Sequence, residues 1–224
     1  MSKGGRGAPM TDDRRADTAA HRTKAQQREA TRRELVATGR ELFAAKGYSA
    51  VSLTELTQRA GVTKGALYHH FGSKLELFRA VITEVQHDVG KRVAAVAESA
   101  PDPWTRLTSG CAAFLAASAE TEVQRIMLVD GPAVLGWSEW RAMDEAASER
   151  HLTEILTELV EHRIIAEQPV TPLIHLLSGA MNEAALWLAR SEDSRDLSDT
   201  VAALNRLLES LRASDPPHPT PGHE

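Results

Sequence analysis

The sequence predicts an all-α protein, and three observations carry that expectation. Apolar residues recur at three- and four-residue spacing through most of the chain, no stretch alternates apolar with polar residues as a half-buried strand does, and helix start and stop signals divide the chain into about nine helical pieces. No internal repeat is visible. Residues 1–24, rich in Gly, Arg and Asp without an apolar period, are expected to form a disordered basic tail. Residues 213–224, punctuated by proline, are expected to form a second disordered tail. Between them lie a compact unit at 25–73 and a larger body at 74–212.

The chain has 224 residues, enough to bury a sizeable core, and one cysteine, Cys111, which allows no internal disulfide. No apolar run approaches the roughly 18 residues of a membrane span, and the N-terminus has no signal-peptide pattern, so a cytoplasmic protein without a membrane partner is expected. The net charge of −5 conceals an asymmetry. Residues 1–80 carry 15 Lys plus Arg against 8 Asp plus Glu, and residues 81–224 carry 11 against 23. A basic N-terminal third on an acidic body is the distribution expected when one part meets a polyanion.

Element by element, Leu35, Val36, Gly39, Leu42 and Phe43 share one face of a first helix that Gly47 ends as a left-handed cap. Ser52 and Glu55 form a capping box that starts a second helix, through Ala60. Gly61 takes positive φ at low cost, so a tight turn follows, and Thr63 is placed to cap a third helix from Lys64 to His70. Ser73 and Glu76 repeat the capping box and open a long fourth helix. Leu56, Ala60, Val62, Leu67 and Phe71 supply a small core that fixes the crossing of the second and third helices. Thr63, Lys64, Gly65, Tyr68 and His69 remain on the outside. This is the geometry of a helix-turn-helix, whose second helix enters the major groove of DNA. Lys, Thr and His donate to base edges or phosphates, and Gly65 allows close backbone approach.

The stretch GYSAVSLTELTQRAGVTKGALYHHFGSKLELFRAV, residues 47–81, resembles the tetracycline-repressor (TetR) family of bacterial transcriptional regulators. The AGV turn, the Gly-x-Leu-Tyr-x-His-Phe run and the Ser-Lys-x-x-Leu step carry the resemblance. By position it implies that Ser52 is a helix cap near a phosphate, that Thr63, Lys64, Gly65 and His69 face the groove, and that Tyr68 and Lys74 contact phosphates. Thr57 stands where the family has a small alanine; its methyl is expected to pack and its hydroxyl to bond back to the preceding turn.

The fourth helix, from Lys74 to about Glu98, carries Phe78, Val81, Ile82, Val85, Val89, Val93 and Val96 as a stripe spanning both parts of the chain. The resemblance implies that ligand in the body shifts this helix and changes the separation of two recognition helices. Gly90, inside it, is either a hinge or a tolerated or close-packed glycine. Residues 100–190 hold all four tryptophans. Candidates to line a pocket for a small apolar or aromatic effector are Trp104, Phe114, Met127, Trp137, Trp140, His175, Met181 and Asn182, because Trp and Met suit planar apolar molecules and a few polar groups orient them. Within LVDGPAVLGWSEW, residues 128–140, Gly131 and Pro132 break a helix, Gly136 follows, and Ser138 is placed to cap the next.

Two C-terminal helices point to a homodimer. From Thr171 as cap and Pro172 as first helical residue to about Arg190 the chain is apolar on more than one face, and the last helix repeats Leu197, Val201, Leu204, Leu208 and Leu211 at four- and three-residue spacing. The interface candidates are Leu173, Leu177, Ala184, Leu197, Val201, Leu204 and Leu208. The resemblance implies pairing of these helices across a two-fold axis as a four-helix bundle. Catalysis is not expected: there is no phosphate loop, cysteine cluster or nucleophile elbow. Neither a metal nor a cofactor is expected, since Glu84 and His87 form only one Glu-x-x-His and His151 and His162 lie about 16 Å apart along a helix. The expected function is a ligand-responsive repressor that binds double-stranded operator DNA as a dimer. An activator of the same fold, or an all-α small-molecule carrier without sequence-specific DNA binding, is the alternative.

Overall fold

The computed structural model describes the backbone of residues 12–213 and the side chains of residues 24–146 and 150–213. These residues form α1 (Asp12–Lys46), α2 (Leu53–Arg59), α3 (Lys64–Phe71), α4 (Lys74–Glu98), α5 (Pro103–Ser118), a short α6 (Thr121–Val123) running into a π-helical stretch (Gln124–Asp130), α7 (Gly131–Leu135), α8 (Trp137–Glu161), α9 (Val170–Leu188) and α10 (Asp196–Glu209). The all-α expectation holds, with one more α-helix than anticipated.

Helix α1 begins at Asp12, so the expectation of a disordered tail is corrected over 12–24. Alanine and arginine, frequent in this stretch of the sequence, are strong helix formers. Helix here follows from propensity; the apolar period that marks a packed helix is absent from this stretch. The remaining parts of both expected tails, 1–11 and 214–224, lie outside the described residues.

One core runs without interruption from the N-terminal helices into the body. Leu35, Phe43, Leu56, Leu67 and Phe71 are buried with Leu77, Phe78, Val81 and Ile82 of α4, and the same cluster continues to Ile126, Met127 and Trp140. Leu67 is fully enclosed, and truncating such a leucine to alanine costs about 3–5 kcal/mol. The α4 stripe is buried through Val89, half-buried at Val93 and exposed at Val96, so its last expected member does not pack. A second core joins α5, α8, α9 and α10 through Leu107, Leu115, Leu156, Leu159, Leu173, Leu177, Leu204 and Leu208.

The helix starts follow the expected chemistry in part. Ser52, Thr63 and Ser73 accept from the backbone N–H of Glu55, Ala66 and Glu76 at 3.1, 3.2 and 3.1 Å. The return arm of each capping box is replaced: the Glu55 carboxylate pairs with Lys46 and that of Glu76 with Arg79. Asp102 caps α5, accepting from the Thr105 N–H at 2.9 Å, with Pro103 at the first helical position.

The 128–140 stretch is more elaborate than the expected break. The Trp140 indole is fully buried and its Nε1–H donates to the Met127 carbonyl at 2.7 Å, meeting an acceptor displaced by the π-helical winding. A Cβ on Gly131 would lie 2.8 Å from the Trp140 ring, so only glycine allows this closure. Gly136, at φ 84°, separates α7 from α8. Ser138 falls inside α8 without a capping bond, which corrects its expected role.

Candidate nucleic-acid interface and ligand cavity

The α2–turn–α3 unit is held from within. Gly61 has φ 65°, as the tight turn requires, and the Val62 N–H donates to the Thr57 carbonyl at 3.0 Å. The Thr57 hydroxyl lies 3.0 Å from both the Leu53 and Thr54 carbonyls, bonding back to the preceding turn as expected, while the residue is buried. With Leu67 and Phe71 facing inward, Ser52, Thr63, Lys64, Gly65, Tyr68 and His69 are all exposed. The fold therefore brings six of the seven sequence-selected residues to the exposed side of one small unit.

Lys74 is placed differently. Its ammonium is half-buried, donates to the Tyr48 carbonyl at 2.5 Å and sits 4.0 Å from the Tyr48 ring centroid. Burial pushes its pKa down, against the nearby Asp130 carboxylate. Helix α1 contributes further cations beside α3: the Arg32 guanidinium lies 5.3 Å from the Phe71 ring centroid. The half-buried His70 has a lowered pKa, through burial first and then the charges of His69, Arg28 and Arg32. Arg28, Arg32 and Arg33 are open from sequence as either phosphate contacts or ordinary surface residues, and the structure sets Arg28 and Arg32 beside α3.

The helix-turn-helix unit is tied to the body by polar links from Tyr48 and Arg40. The Tyr48 N–H donates to Asp130 Oδ2 at 2.7 Å, at the end of the π-helical stretch. Arg40 on α1 reaches Asp88 of α4 at 2.6 Å and Glu122 of α6 at 2.5 Å. Within the body, Arg79 of α4 pairs with Glu139 of α8 at 2.5 and 3.0 Å. None of these was read from the sequence, since partners such as Tyr48 and Asp130 are separated by 82 positions and carry no periodic signal.

A cavity of about 560 Å³ lies in the body between α4, α5, α8 and α9, a volume suited to a small organic ligand. From Gln86 to Glu98 it follows α4 for about 18 Å at 1.5 Å per residue. Of the expected lining residues, Phe114, Met127, Met181 and Asn182 are there. Trp104, Trp137, Trp140 and His175, also expected there, do not line this cavity. Trp104 stacks under the Arg212 guanidinium at 5.1 Å, Trp137 is exposed, Trp140 is spent on the π-helical closure, and His175 is on the surface 3.9 Å from Glu145. No tryptophan lines this cavity: a large ring is as useful for closing a core as for lining a pocket.

The cavity wall is apolar along Val89, Val93, Leu107, Cys111, Phe114, Met127, Ile155 and Met181. Burial pushes the Cys111 thiol up to about 12, so it stays protonated. A Cβ on Gly90 would meet nothing within 4 Å, so this glycine widens the cavity and is not close-packed. One end is polar and buried: Asn182 Nδ2 donates to Asp144 Oδ2 at 2.5 Å, and Arg141 lies 3.6 Å from the same carboxylate and 3.3 Å from the Ser178 hydroxyl. Burial raises the Asp144 pKa, opposed by Asn182 and Arg141. At the other end Glu98, Arg150, His151 and Glu154 are exposed, beside an Arg106–Glu158 pair at 2.7 Å.

Of the seven residues expected at a dimer interface, four are buried within the single chain and three are partly buried. Leu173, Leu177, Leu204 and Leu208 are buried in the second core, and Ala184, Leu197 and Val201 pack against it. A helical period identifies an apolar face without saying which neighbour covers it, and here α10 covers α5 and α9 of its own chain. What remains outside on these helices is Leu176, Trp187 and Leu207, at 72%, 49% and 64% exposure. Leu176, Ala180, Glu183 and Trp187 follow one face of α9 at four- and three-residue spacing.

Comparison with known proteins gives a consistent result. Residues 35–81 match bacterial regulatory proteins of the tetR family, and residues 104–211 match the tetracyclin repressor-like C-terminal domain. A crystal structure of a TetR-family transcriptional regulator from Pectobacterium atrosepticum superposes with a TM-score of 0.75 at 35% identity, over 84% of this chain and 97% of that one. The transposon Tn10 TetC protein of Escherichia coli is 26% identical over 183 residues, covering 81% of this chain and 92% of the relative. RolR, solved in complex with resorcinol, shares the fold at 20% identity with a TM-score of 0.66, over 82% and 89% of the two chains. Among the described residues no helix is long and apolar enough to cross a membrane.

Proposed function

The chain belongs to the tetracycline-repressor (TetR) family of bacterial transcriptional regulators, and we propose that it acts in the cytoplasm as a homodimeric repressor whose operator complex is released by a small molecule. The observation that carries this reading is the exposed row Thr63, Lys64, Gly65, Tyr68 and His69 on a short helix clamped from behind by Leu67 and Phe71. Thr63, Lys64 and His69 offer donors to base edges and phosphates, and Gly65 leaves room for the DNA backbone. Lys74 keeps two of its three N–H donors for a phosphate while Tyr48 holds the third. Arg28 and Arg32 add sequence-independent attraction.

The second copy joins through the α9 and α10 faces bearing Leu176, Ala180, Trp187 and Leu207, an apolar surface that one chain leaves exposed. A two-fold pair presents two α3 helices about 34–36 Å apart and reads a near-palindrome. Such a dimer on a promoter excludes polymerase without a further contact surface.

Release follows from the cavity. Val89 and Val93 of α4 and Met127 of the π-helical stretch line it, and both elements reach the DNA-facing unit, α4 through the shared core and the stretch through Asp130. An effector that prefers the released arrangement a hundredfold supplies about 2.7 kcal/mol per site against operator binding. The resorcinol complex of RolR supports a small effector in a fold of this kind.

The test is retention of genomic DNA fragments by the purified protein at physiological salt. Recovery of a near-palindromic sequence is expected. Retention without sequence preference by protein verified free of ligand overturns the reading.

A further inference from the structure

The polar end of the cavity contains one group that the fold leaves unmatched. Gln86 is 7% exposed, lines the cavity from α4, and its Nε2 has no hydrogen-bond partner. A buried amide N–H without an acceptor costs about 1–3 kcal/mol, so a leucine of similar size would be the more stable choice here. The terminal torsion of a glutamine is broad, and the amide turns towards an incoming acceptor at little cost. The neighbouring polar groups are already matched: Asp144 holds Asn182 and Arg141, and Arg141 also reaches Ser178. Of the described groups in this cluster, Gln86 is the one whose buried donor nitrogen has no partner at all.

Taking the cavity as an effector site, as proposed above, we infer that it receives a neutral, largely apolar molecule bearing a hydrogen-bond-accepting oxygen, and that Gln86 recognises that oxygen. Neutrality follows from the pairing at this end. An anion would meet the Asp144 carboxylate, and a cation would find that carboxylate already engaged by Arg141 and Asn182, so neither charge gains a free partner here. The remaining walls, with Phe114, Met127 and Met181, favour a flat apolar body through sulfur and edge contacts with a ring. The class is therefore a ketone, ester or phenol on an aromatic or alkyl frame.

Two probes of matched shape test this: 2-acetylnaphthalene, which has the oxygen, and 2-isopropylnaphthalene, which lacks it. Equilibrium dialysis against the full-length protein should show about tenfold tighter binding of the ketone, the worth of one hydrogen bond to an otherwise unmatched buried donor. Gln86→Leu should bind both probes equally and melt no lower than the parent in the absence of ligand. Gln86→Met, unbranched and of similar length, gives the same readout should leucine disturb packing. Equal binding of both probes by the parent, or an undiminished ketone preference in the variants, overturns the role of Gln86 while leaving the cavity as an effector site. Failure of both probes to bind the parent removes the effector reading itself.

Discussion

Replacing Asp130 with alanine should weaken the joint between the DNA-facing unit and the body. Asp130 Oδ2 accepts from the Tyr48 N–H at 2.7 Å, a hydrogen bond to a charged group, and such bonds contribute about 1.5–3 kcal/mol. Asp130 is half-exposed, and water takes over part of the lost bond, so the expected loss is about 1–2 kcal/mol of unfolding free energy. The loss has a second component. Lys74 already has a pKa lowered by burial and opposed by Asp130, so the variant leaves that ammonium with less support beside Tyr48. Asp130→Asn keeps an acceptor oxygen and should lose roughly half as much. Urea unfolding monitored by helical circular dichroism measures both, with the slope checked for a single transition. Stability of Asp130→Ala within about 0.3 kcal/mol of the parent would refute the argument that this bond carries the joint.

Three further outcomes are expected. Lys64→Ala should weaken operator binding, flatten its dependence on salt by roughly one counterion and leave the melting temperature unchanged; electrophoretic mobility shifts across a salt series that coincide with the parent would remove Lys64 from the interface. Leu176→Glu should give a folded monomer in sedimentation, since the residue is 72% exposed within the chain, whereas Leu204→Glu should unfold it, because Leu204 is buried in the second core; a Leu176→Glu dimer would exclude this face. Cys111 should resist a thiol reagent at pH 8 until the chain unfolds. Its raised pKa means that the folded state holds the proton more tightly, so this group's contribution is present below the unfolded pKa near 8.5 and is lost as pH rises towards about 12. Rapid modification of native protein would contradict the enclosure of the thiol.

The helix-turn-helix was legible because its determinants are local. Gly61 at the turn, the caps Ser52, Thr63 and Ser73, and the inward Leu67 and Phe71 lie within 22 consecutive residues and need no distant partner to be understood. The body was legible only as helices. An apolar period at Leu173, Leu177, Leu204 and Leu208 looks the same whether the covering helix belongs to the same chain or to a partner, and the structure assigns it to the same chain. Trp140 drew attention as a pocket residue through its size, while the π-helical winding that engages its N–H has no sequence period of its own. Gln86 left a trace that could have been followed: it sits four residues after Ile82 and three before Val89, a polar side chain on an otherwise apolar face.

The most direct test of a paired recognition unit is binding stoichiometry and affinity on one recovered operator, compared with the same DNA after one half-site is scrambled. Two chains per intact site are expected, with affinity falling at least a hundredfold when a half-site is lost, because several base contacts at about 1–3 kcal/mol each disappear together. One chain per site, bound equally well to intact and half-scrambled DNA, would contradict the account.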